Sequence, residues 1–289
     1  MHYQGNIIRP PSEADSIILQ ATVGCSHNKC TFCGAYKNKR FTIKSDDILE
    51  KDISFAAEHF KHTRRLFICD GDALIIPQPK LASLLTIIKK QLPWLTRIGI
   101  YANAKSLKRK SLPELQELKE MGLGIIYMGL ESGDDMTLKA VNKKSLSADM
   151  IKQGKKVKQA GIKLSITVLL GLAGPERSHI HARKTGKVLS QIDPEFVGAL
   201  TLMLIPGTPL YDDYRKEIFT LLEPKQMLQE LRSMIVHTNL SKGLFLSNHA
   251  SNFLSLKIRM PRDKQTAIQK IDQALQGNIP LKPEWMRGL

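Results

Sequence analysis

The chain has 289 residues, of which 42% are hydrophobic, so it can bury a sizeable core and is not expected to be disordered. Its formal net charge is +16, and its four cysteines are too few and too clustered for a disulfide framework, which favours a reducing, cytoplasmic location. We expect neither a secretion signal nor a membrane span, because the first residues lack an apolar run and no apolar stretch reaches ~18 residues.

Apolar, β-rich segments recur along the first 215 residues and predict six strands. They are expected near residues 16–23, 65–69, 97–102, 124–129, 163–170 and 196–204. Helical spacing or helix-capping patterns occur between them, and Ser111-Leu112-Pro113-Glu114 has the pattern of a capping box at the start of a helix. Strands that alternate with helices pair in parallel through right-handed crossovers. Since eight such units need ~250 residues, the six units predict an α/β fold with an incomplete (β/α)6 barrel.

The remainder of the chain has a different pattern. Residues 223–237 and 263–276 have helical spacing, and no strong strand is predicted between them. We therefore expect an amino-terminal extension (1–15), a core barrel (16–215) and a small, mainly helical carboxyl-terminal extension packed on the barrel (216–289).

Three cysteines follow the first predicted strand with the spacing Cys25-x4-Cys30-x2-Cys33. Thiolates are the preferred ligands of iron–sulfur clusters and of zinc, and a structural zinc site normally has four protein ligands. A fourth ligand is not obvious, because His27 lies awkwardly inside the same loop and Cys69 lies in a predicted buried strand. The ligand number therefore favours a cluster with one open iron and leaves zinc as an alternative.

The other predicted strands also end in polar or glycine-containing motifs. These motifs are Asp70-Gly71-Asp72, Tyr101 with Asn103, Glu131-Ser132-Gly133, Gly171–Gly174 and Pro206–Leu210. In a barrel of this kind the loops after the strands lie at one face and form the active site. The set is therefore what a shared ligand site would require.

Taken together, the motifs resemble those of radical S-adenosylmethionine (SAM) enzymes. The resemblance rests on the cysteine loop, the acidic glycine motif after the second strand, and the stretches Gly129–Gly133, Val141–Lys143 and Pro206–Leu210. It spans roughly residues 16–215 and points to the branch of the oxygen-independent coproporphyrinogen oxidases, the methylthiotransferases and the Elongator catalytic subunit. The first cysteine gap holds four residues where three are commonest, which blurs the subfamily.

The resemblance implies a [4Fe-4S] cluster in which Cys25, Cys30 and Cys33 hold three irons and the fourth iron chelates SAM. The reduced cluster would cleave SAM and generate a 5′-deoxyadenosyl radical that abstracts hydrogen from an unidentified substrate. A flavodoxin or ferredoxin would supply the electron. Only Cys69 is left over for auxiliary clusters, and the chain is short for the appended domains of related enzymes, so we expect neither sulfur insertion nor cobalamin-dependent methylation.

The resemblance also implies six cofactor-binding residues: Phe32, Gly71, Asp72, Asn103, Glu131 and Lys143. The backbone of Gly71 and the carboxylate of Asp72 would meet the SAM ammonium group. Lys143 would pair with the SAM carboxylate, and Glu131 would face the cofactor. Asn103, or Tyr101 beside it, would reach the ribose. The backbone carbonyl of Phe32 would lie near the adenine amino group, and its ring would pack against the loop or in the core. Structural alternatives exist, because strand-end residues are often turn formers and lysines are usually at the surface.

The excess of positive charge collects in residues 37–40, 105–110 and 152–158. Such runs predict solvated faces or an anionic partner, either a nucleic acid or an anionic substrate, although no nucleic-acid-binding motif is present. Two alternatives to the enzyme follow: a zinc-stabilised basic nucleic-acid-binding protein, and a catalytically silent barrel that carries a cofactor.

A compact polar stretch, Asn248–Asn252, lies in the carboxyl-terminal extension. It predicts either a hydrogen-bonded turn or a substrate-contacting lid over the barrel mouth. In the second case His249 is the candidate catalytic residue.

Overall fold

The computed structural model describes residues 1–288. Its strands are β1 (Ile17–Gln20), β2 (Thr22–Val23), β3 (Thr42–Ile43), β4 (Arg65–Cys69), β5 (Arg97–Ala102), β6 (Leu123–Glu131), β7 (Lys163–Leu170), β8 (Phe196–Thr201), β9 (Gly243–Leu246) and β10 (Lys257–Met260). Its helices are α1 (Asp46–His59), α2 (Gln78–Gln91), α3 (Ala104–Lys108), α4 (Leu112–Glu120), α5 (Asp135–Ala140), α6 (Ser147–Gln159), α7 (Gly174–Ile192), α8 (Pro209–Arg215), α9 (Pro224–Val236) and α10 (Lys264–Leu275).

The chain forms two compact units, each built from several segments. Unit one comprises Met1–Asn28, Ala35–Met128 and Lys156–Leu164. Unit two comprises Lys29–Gly34, Gly129–Lys155 and the chain from Ser165 onwards. Strand β6 begins in unit one and ends in unit two.

Unit one contains a parallel sheet in the order β1, β4, β5, β6. The strands are almost continuously buried, as parallel strands covered on both faces are expected to be. Phe67 lies at the centre of this core, and the rings of Tyr101 and Tyr127 meet it edge-on at centroid distances of 4.8 and 5.5 Å. The α/β class and the parallel strands predicted from the sequence are confirmed.

The first predicted strand is interrupted at Ala21. Strand β1 pairs in parallel with β4, whereas β2 pairs antiparallel with β3. The N–H of Ala21 donates to the carbonyl of Cys69 at 2.7 Å, which is the last contact with β4 before the chain changes partner. The cysteine loop therefore begins from a two-stranded ribbon rather than directly from the main sheet.

Unit two contains β7 from Ser165 onwards, with β8 and β9 parallel to it and β10 antiparallel to β9. The prediction that no strand separates the two carboxyl-terminal helices is wrong, because β9 and β10 lie between α9 and α10. Both strands have four residues, and β10 alternates exposed and buried side chains in the sequence Lys-Ile-Arg-Met. A run this short carries too few repeats for a period of two to stand out.

None of the helices in residues 1–288 combines the length and apolar character that crossing a membrane requires.

Candidate functional site

None of the four cysteines forms a disulfide. Cys25, Cys30 and Cys33 are half-buried, whereas Cys69 is fully buried in β4, where burial raises the pKa of its thiol. Cys25 belongs to unit one, and the other two loop cysteines belong to unit two. Cys69 is therefore a core residue, as the sequence predicted, and the three loop thiols are the candidate ligands.

The chemistry of these thiols fits an iron–sulfur cluster. Within residues 1–288 no three His, Cys, Asp or Glu side chains are arranged to hold one metal ion. A cluster does not require such convergence, because each thiolate binds a separate iron. The three half-buried thiols, which lie within nine residues of one another, are therefore a suitable set of ligands for a cluster.

Gly71 packs against the cysteine loop within unit one. A Cβ on this residue would lie 2.6 Å from Cε2 of Tyr36 and 3.0 Å from Cβ of Cys25. Real Cβ atoms do not approach carbon atoms this closely, so only glycine fits without movement of the ring or the loop. The glycine predicted from the motif is thus required by close packing beside a candidate ligand.

Asp70 holds together three parts of the chain around that loop. Its carboxylate accepts hydrogen bonds from the Tyr36 hydroxyl at 3.0 Å, from the Gln20 amide at 3.1 Å and from the Gly24 N–H at 3.2 Å. Burial and the neighbouring Asp70 charge raise the pKa of Tyr36, which keeps the phenol protonated as a donor. The sequence analysis assigned roles to Gly71 and Asp72 but not to Asp70 or Tyr36.

Asp72 is fully buried and also contacts the loop. It accepts hydrogen bonds from the Ser26 hydroxyl and, at 3.2 Å, from the Asn103 N–H. Burial raises its pKa to about 6, although hydrogen bonds from Ser106, Ser26 and Asn103 oppose the rise. The structure therefore gives Asp72 a bracing role beside Cys25, and its predicted contact with the SAM ammonium stays a prediction.

Asn103 caps helix α3. Its side-chain oxygen accepts from the Ser106 N–H at 2.9 Å, and the Ser106 hydroxyl lies 3.1 Å from the Asn103 N–H, which completes a capping box. This arrangement is the turn-forming alternative of the sequence analysis. Tyr101 belongs to the aromatic core instead. A ribose contact from either residue stays a prediction.

Glu131 and Lys143, predicted from two separate motifs, meet in unit two. The Lys143 ammonium lies 2.9 Å from Oε1 of Glu131, and each side chain is 12% exposed. A Cβ on Gly129 would lie 2.2 Å from that oxygen and 3.1 Å from Nζ of Lys143, so the glycine leaves room for the pair. Glu131 has a φ of +63°, a left-handed conformation that non-glycine residues adopt only when the surroundings impose it.

A buried cluster of polar residues, or polar network, follows Glu131. The Ser132 hydroxyl lies 2.7 Å from Nδ1 of His181, whose Nε2 lies 3.5 Å from Oε1 of Glu230. Glu230 accepts from the Gly171 N–H at 2.6 Å. Both His181 and Glu230 are almost wholly shielded from solvent, so the network braces the ends of β6 and β7 from within. These contacts could not be predicted from the sequence, because the residues of each contacting pair are 49 or more positions apart.

Asp134 is joined to this polar network, because its N–H donates to the Ser132 hydroxyl at 2.9 Å. Its carboxylate caps α5 and accepts from Lys184 at 2.9 Å and from Arg177 at 2.9 Å. Burial alone would raise the pKa of Asp134, but the hydrogen bonds from Lys184, Arg177 and Thr137 outweigh it and hold the pKa below its ordinary value.

Phe32 packs in unit two against a hydrophobic cluster formed by Val141, Leu172, Leu202 and Leu210. Three of these residues belong to the sequence motifs described above, namely Val141, Leu172 and Leu210. The packing role predicted for its ring is therefore observed, and the contact of its carbonyl with adenine stays a prediction.

The stretch Asn248–Asn252 forms a turn bound to the end of β8. The Asn252 amide donates to Ala199 at 2.8 Å, and the Ser251 hydroxyl accepts from the Thr201 N–H at 3.1 Å. Nδ1 of His249 accepts from the Ser251 N–H at 3.1 Å, which places the proton of a neutral ring on Nε2. Burial and the charge of Lys282 lower the pKa of His249. The turn alternative is observed, and a catalytic role of His249 stays a prediction.

Each of the three basic runs contributes a lysine to the fold itself. Lys39 donates to the carbonyls of Gln4 and Asn6, Lys110 to Ile76, and Lys156 to Leu107 and Lys110. Part of the positive charge is therefore used to satisfy backbone carbonyls within unit one. An anionic partner for the remaining charge stays a prediction.

The family model described as the Radical SAM superfamily matches residues 19–186 of the chain. An uncharacterized protein of Methanocaldococcus jannaschii is 30% identical over 141 residues, which cover 48% of this chain and 43% of that protein. The chain thus aligns with less than half of the length of this relative.

Two solved structures share the fold. The crystal structure of methylornithine synthase matches with a TM-score of 0.54 and 18% identity, over 78% of this chain and 63% of that one. Coproporphyrinogen III oxidase from Escherichia coli, described as a radical SAM enzyme, matches with a TM-score of 0.59 and 19% identity, over 76% of this chain and 51% of that one.

Proposed function

The chain belongs to the radical SAM superfamily, and we propose that it is an enzyme that cleaves SAM reductively with a [4Fe-4S] cluster held by Cys25, Cys30 and Cys33. The observation that carries the proposal is the set of three half-buried thiols, outside any disulfide, within the residues that match the family. When bound, the cluster and SAM supply a 5′-deoxyadenosyl radical that abstracts hydrogen from the substrate. The protein holds these groups in place and excludes water.

Within unit one, packing and hydrogen bonds hold the loop around Cys25 in place. Gly71 packs directly beside this residue, and Asp70 and Asp72 hold the loop through Gly24 and Ser26. By resemblance to the family, the backbone of Gly71 would lie beside the amino group of SAM. Asp72 supplies the negative charge in this region when it is ionised.

Within unit two, the Glu131–Lys143 pair is the group proposed to bind the carboxylate of SAM. Glu131 fixes the position of the Lys143 ammonium, which would bind the carboxylate of SAM as a second partner. Because both side chains are only 12% exposed, such a contact is stronger than one in bulk water. Phe32 and Asn103 complete the proposed cofactor contacts.

Each reductive cleavage of SAM would consume one electron, so we expect a flavodoxin- or ferredoxin-type donor. The small number of cysteines favours a cytoplasmic location. Nucleic-acid binding and a carrier role are the competing functions that the following experiment separates from catalysis.

The test is anaerobic reconstitution of the protein with iron and sulfide, followed by incubation with SAM and dithionite. We expect 5′-deoxyadenosine to form with the wild-type protein and with Cys69→Ala, and not with Cys30→Ala. A reconstituted cluster that binds SAM without releasing 5′-deoxyadenosine would instead favour the carrier. A colourless protein that binds one zinc would overturn the assignment.

A further inference from the structure

The part of the cysteine loop that lies in unit two, Lys29–Gly34, is bound on two sides by the backbone. The Thr31 N–H donates to the Val141 carbonyl at 3.1 Å, and the Thr31 carbonyl accepts from the Leu210 N–H at 3.1 Å. Thr31 directly follows Cys30, so both polar groups of its backbone are fixed next to a candidate ligand.

Asn142 holds the other side of Cys30. Its side-chain amide donates to the Lys29 carbonyl at 3.1 Å, across a sequence separation of 113 residues. Its backbone is left-handed, with a φ of +55°, a conformation that asparagine tolerates better than most residues. One residue thus supplies both the turn that follows Val141 and the hydrogen bond to the residue before Cys30.

The end of the segment is fixed by packing. A Cβ on Gly34, which follows Cys33, would lie 2.6 Å from Cγ2 of Ile205. Phe32, between the two cysteines, packs on the hydrophobic cluster that includes Val141 and Leu210. Every residue flanking Cys30 and Cys33 is therefore held by a contact that needs no metal.

We infer that Asn142 is a positioning residue for the cluster: its amide presets the backbone that carries Cys30 before iron binds. The inference rests on the proposed function and adds a residue that the motifs did not assign. A preset loop loses less conformational freedom when the cluster forms and releases the cluster more slowly. Asn142 need not touch the cofactor, which distinguishes it from its neighbour Lys143.

Two variants separate the amide from the backbone turn. Asn142→Asp keeps the shape of the side chain and its tolerance for a left-handed backbone, but it replaces the donor by an acceptor. Asn142→Gly keeps the turn and removes the side chain. The matched control is Asn278→Asp, an exposed position beyond helix α10 in the same unit.

The readouts are iron and sulfide per chain after reconstitution, the rate at which a chelator bleaches the cluster, and the melting temperature of the cluster-free protein. We expect both Asn142 variants to bleach about 3- to 10-fold faster than wild type, as the loss of one hydrogen bond allows. Asn278→Asp should bleach like wild type.

Equal bleaching rates in wild type and in both Asn142 variants would overturn the inference. So would a melting temperature that falls in both variants while their bleaching rates stay at the wild-type value, because the amide would then be structural only. If wild type assembles no cluster, the proposed function itself fails, which is a different result.

Discussion

Asp72 in unit one and Glu131 in unit two are carboxylates that each follow or end a parallel strand, but different donors surround them. Asp72 is fully buried and receives hydrogen bonds from a hydroxyl and a backbone N–H. Glu131 remains 12% exposed and pairs with an ammonium group. Neutral donors only partly offset the cost of burial, and the pKa of Asp72 rises to about 6.

The difference indicates how each region can respond to a charged ligand. A nearby cation stabilises the ionised form of a buried carboxylate that has no charged partner. The region of Asp72 would therefore favour an ammonium group over an anion. The Glu131–Lys143 pair is already neutral and can only share its lysine with an added anion. Substitutions in the two regions test this contrast.

The replacement Asp72→Asn should change the pH dependence of stability. The pKa of Asp72 is raised in the folded state, so its contribution to stability is complete below its ordinary pKa of 3.8 and is lost as pH rises through about 6. The variant cannot ionise at this position. Its free energy of unfolding relative to that of the wild type should therefore rise by on the order of 3 kcal/mol between these two pH values. Urea unfolding of both proteins over a pH series measures it, and a difference that does not change with pH would show that Asp72 has an ordinary pKa.

Matched glycine replacements compare how rigid the two regions are. Gly71→Ala forces a methyl group against the Tyr36 ring and the Cβ of Cys25, and it should cost about 1–3 kcal/mol of unfolding free energy. Gly129→Ala meets the tip of the Glu131 side chain, which can rotate away, and it should cost less than Gly71→Ala. Chemical denaturation of the cluster-free variants tests the order, and the reverse order would contradict the contrast.

The ion pair of unit two can be measured by a double-mutant cycle of Glu131→Gln and Lys143→Met. We expect a coupling free energy of about 1 kcal/mol, since the pair is close but not fully desolvated. SAM affinity, measured by calorimetry on the reconstituted protein, should fall about tenfold or more in Lys143→Met. A zero coupling energy together with unchanged SAM affinity would remove both residues from the site.

The smallest effect concerns His249. His249→Ala removes the acceptor of the Ser251 N–H and should cost about 0.5–1.5 kcal/mol, whereas His249→Asn can supply an oxygen in its place and should cost less. Thermal unfolding compares the two. If both variants keep wild-type stability but release 5′-deoxyadenosine without consuming substrate, the stretch is a lid rather than a structural turn.

The sequence predicted those features that depend on local pattern. The six parallel strands follow from apolar runs, and Ser111 forms the predicted capping box with Glu114 at the start of α4. Both members of the Glu131–Lys143 pair were also identified from sequence motifs, because they lie only twelve positions apart in neighbouring motifs.

The sequence could not predict contacts that link distant segments. Asp70 with Tyr36, His181 with Glu230, and Asn142 with Lys29 are joined only by the fold. Hydrophobic periodicity tells which face of an element is buried but not which polar group it meets. For the same reason the sequence left open whether Asn103 is a ligand or a turn former; the structure shows it capping a helix, and its ribose contact stays a prediction.

The most direct test of the account is the iron and sulfide content of four single variants after anaerobic reconstitution: Cys25→Ala, Cys30→Ala, Cys33→Ala and Cys69→Ala. We expect each loop variant to lose the [4Fe-4S] signal and Cys69→Ala, whose thiol is buried in β4, to keep it. A full [4Fe-4S] signal in Cys30→Ala, or its loss in a well-folded Cys69→Ala, would contradict the assignment of the loop as the cluster site.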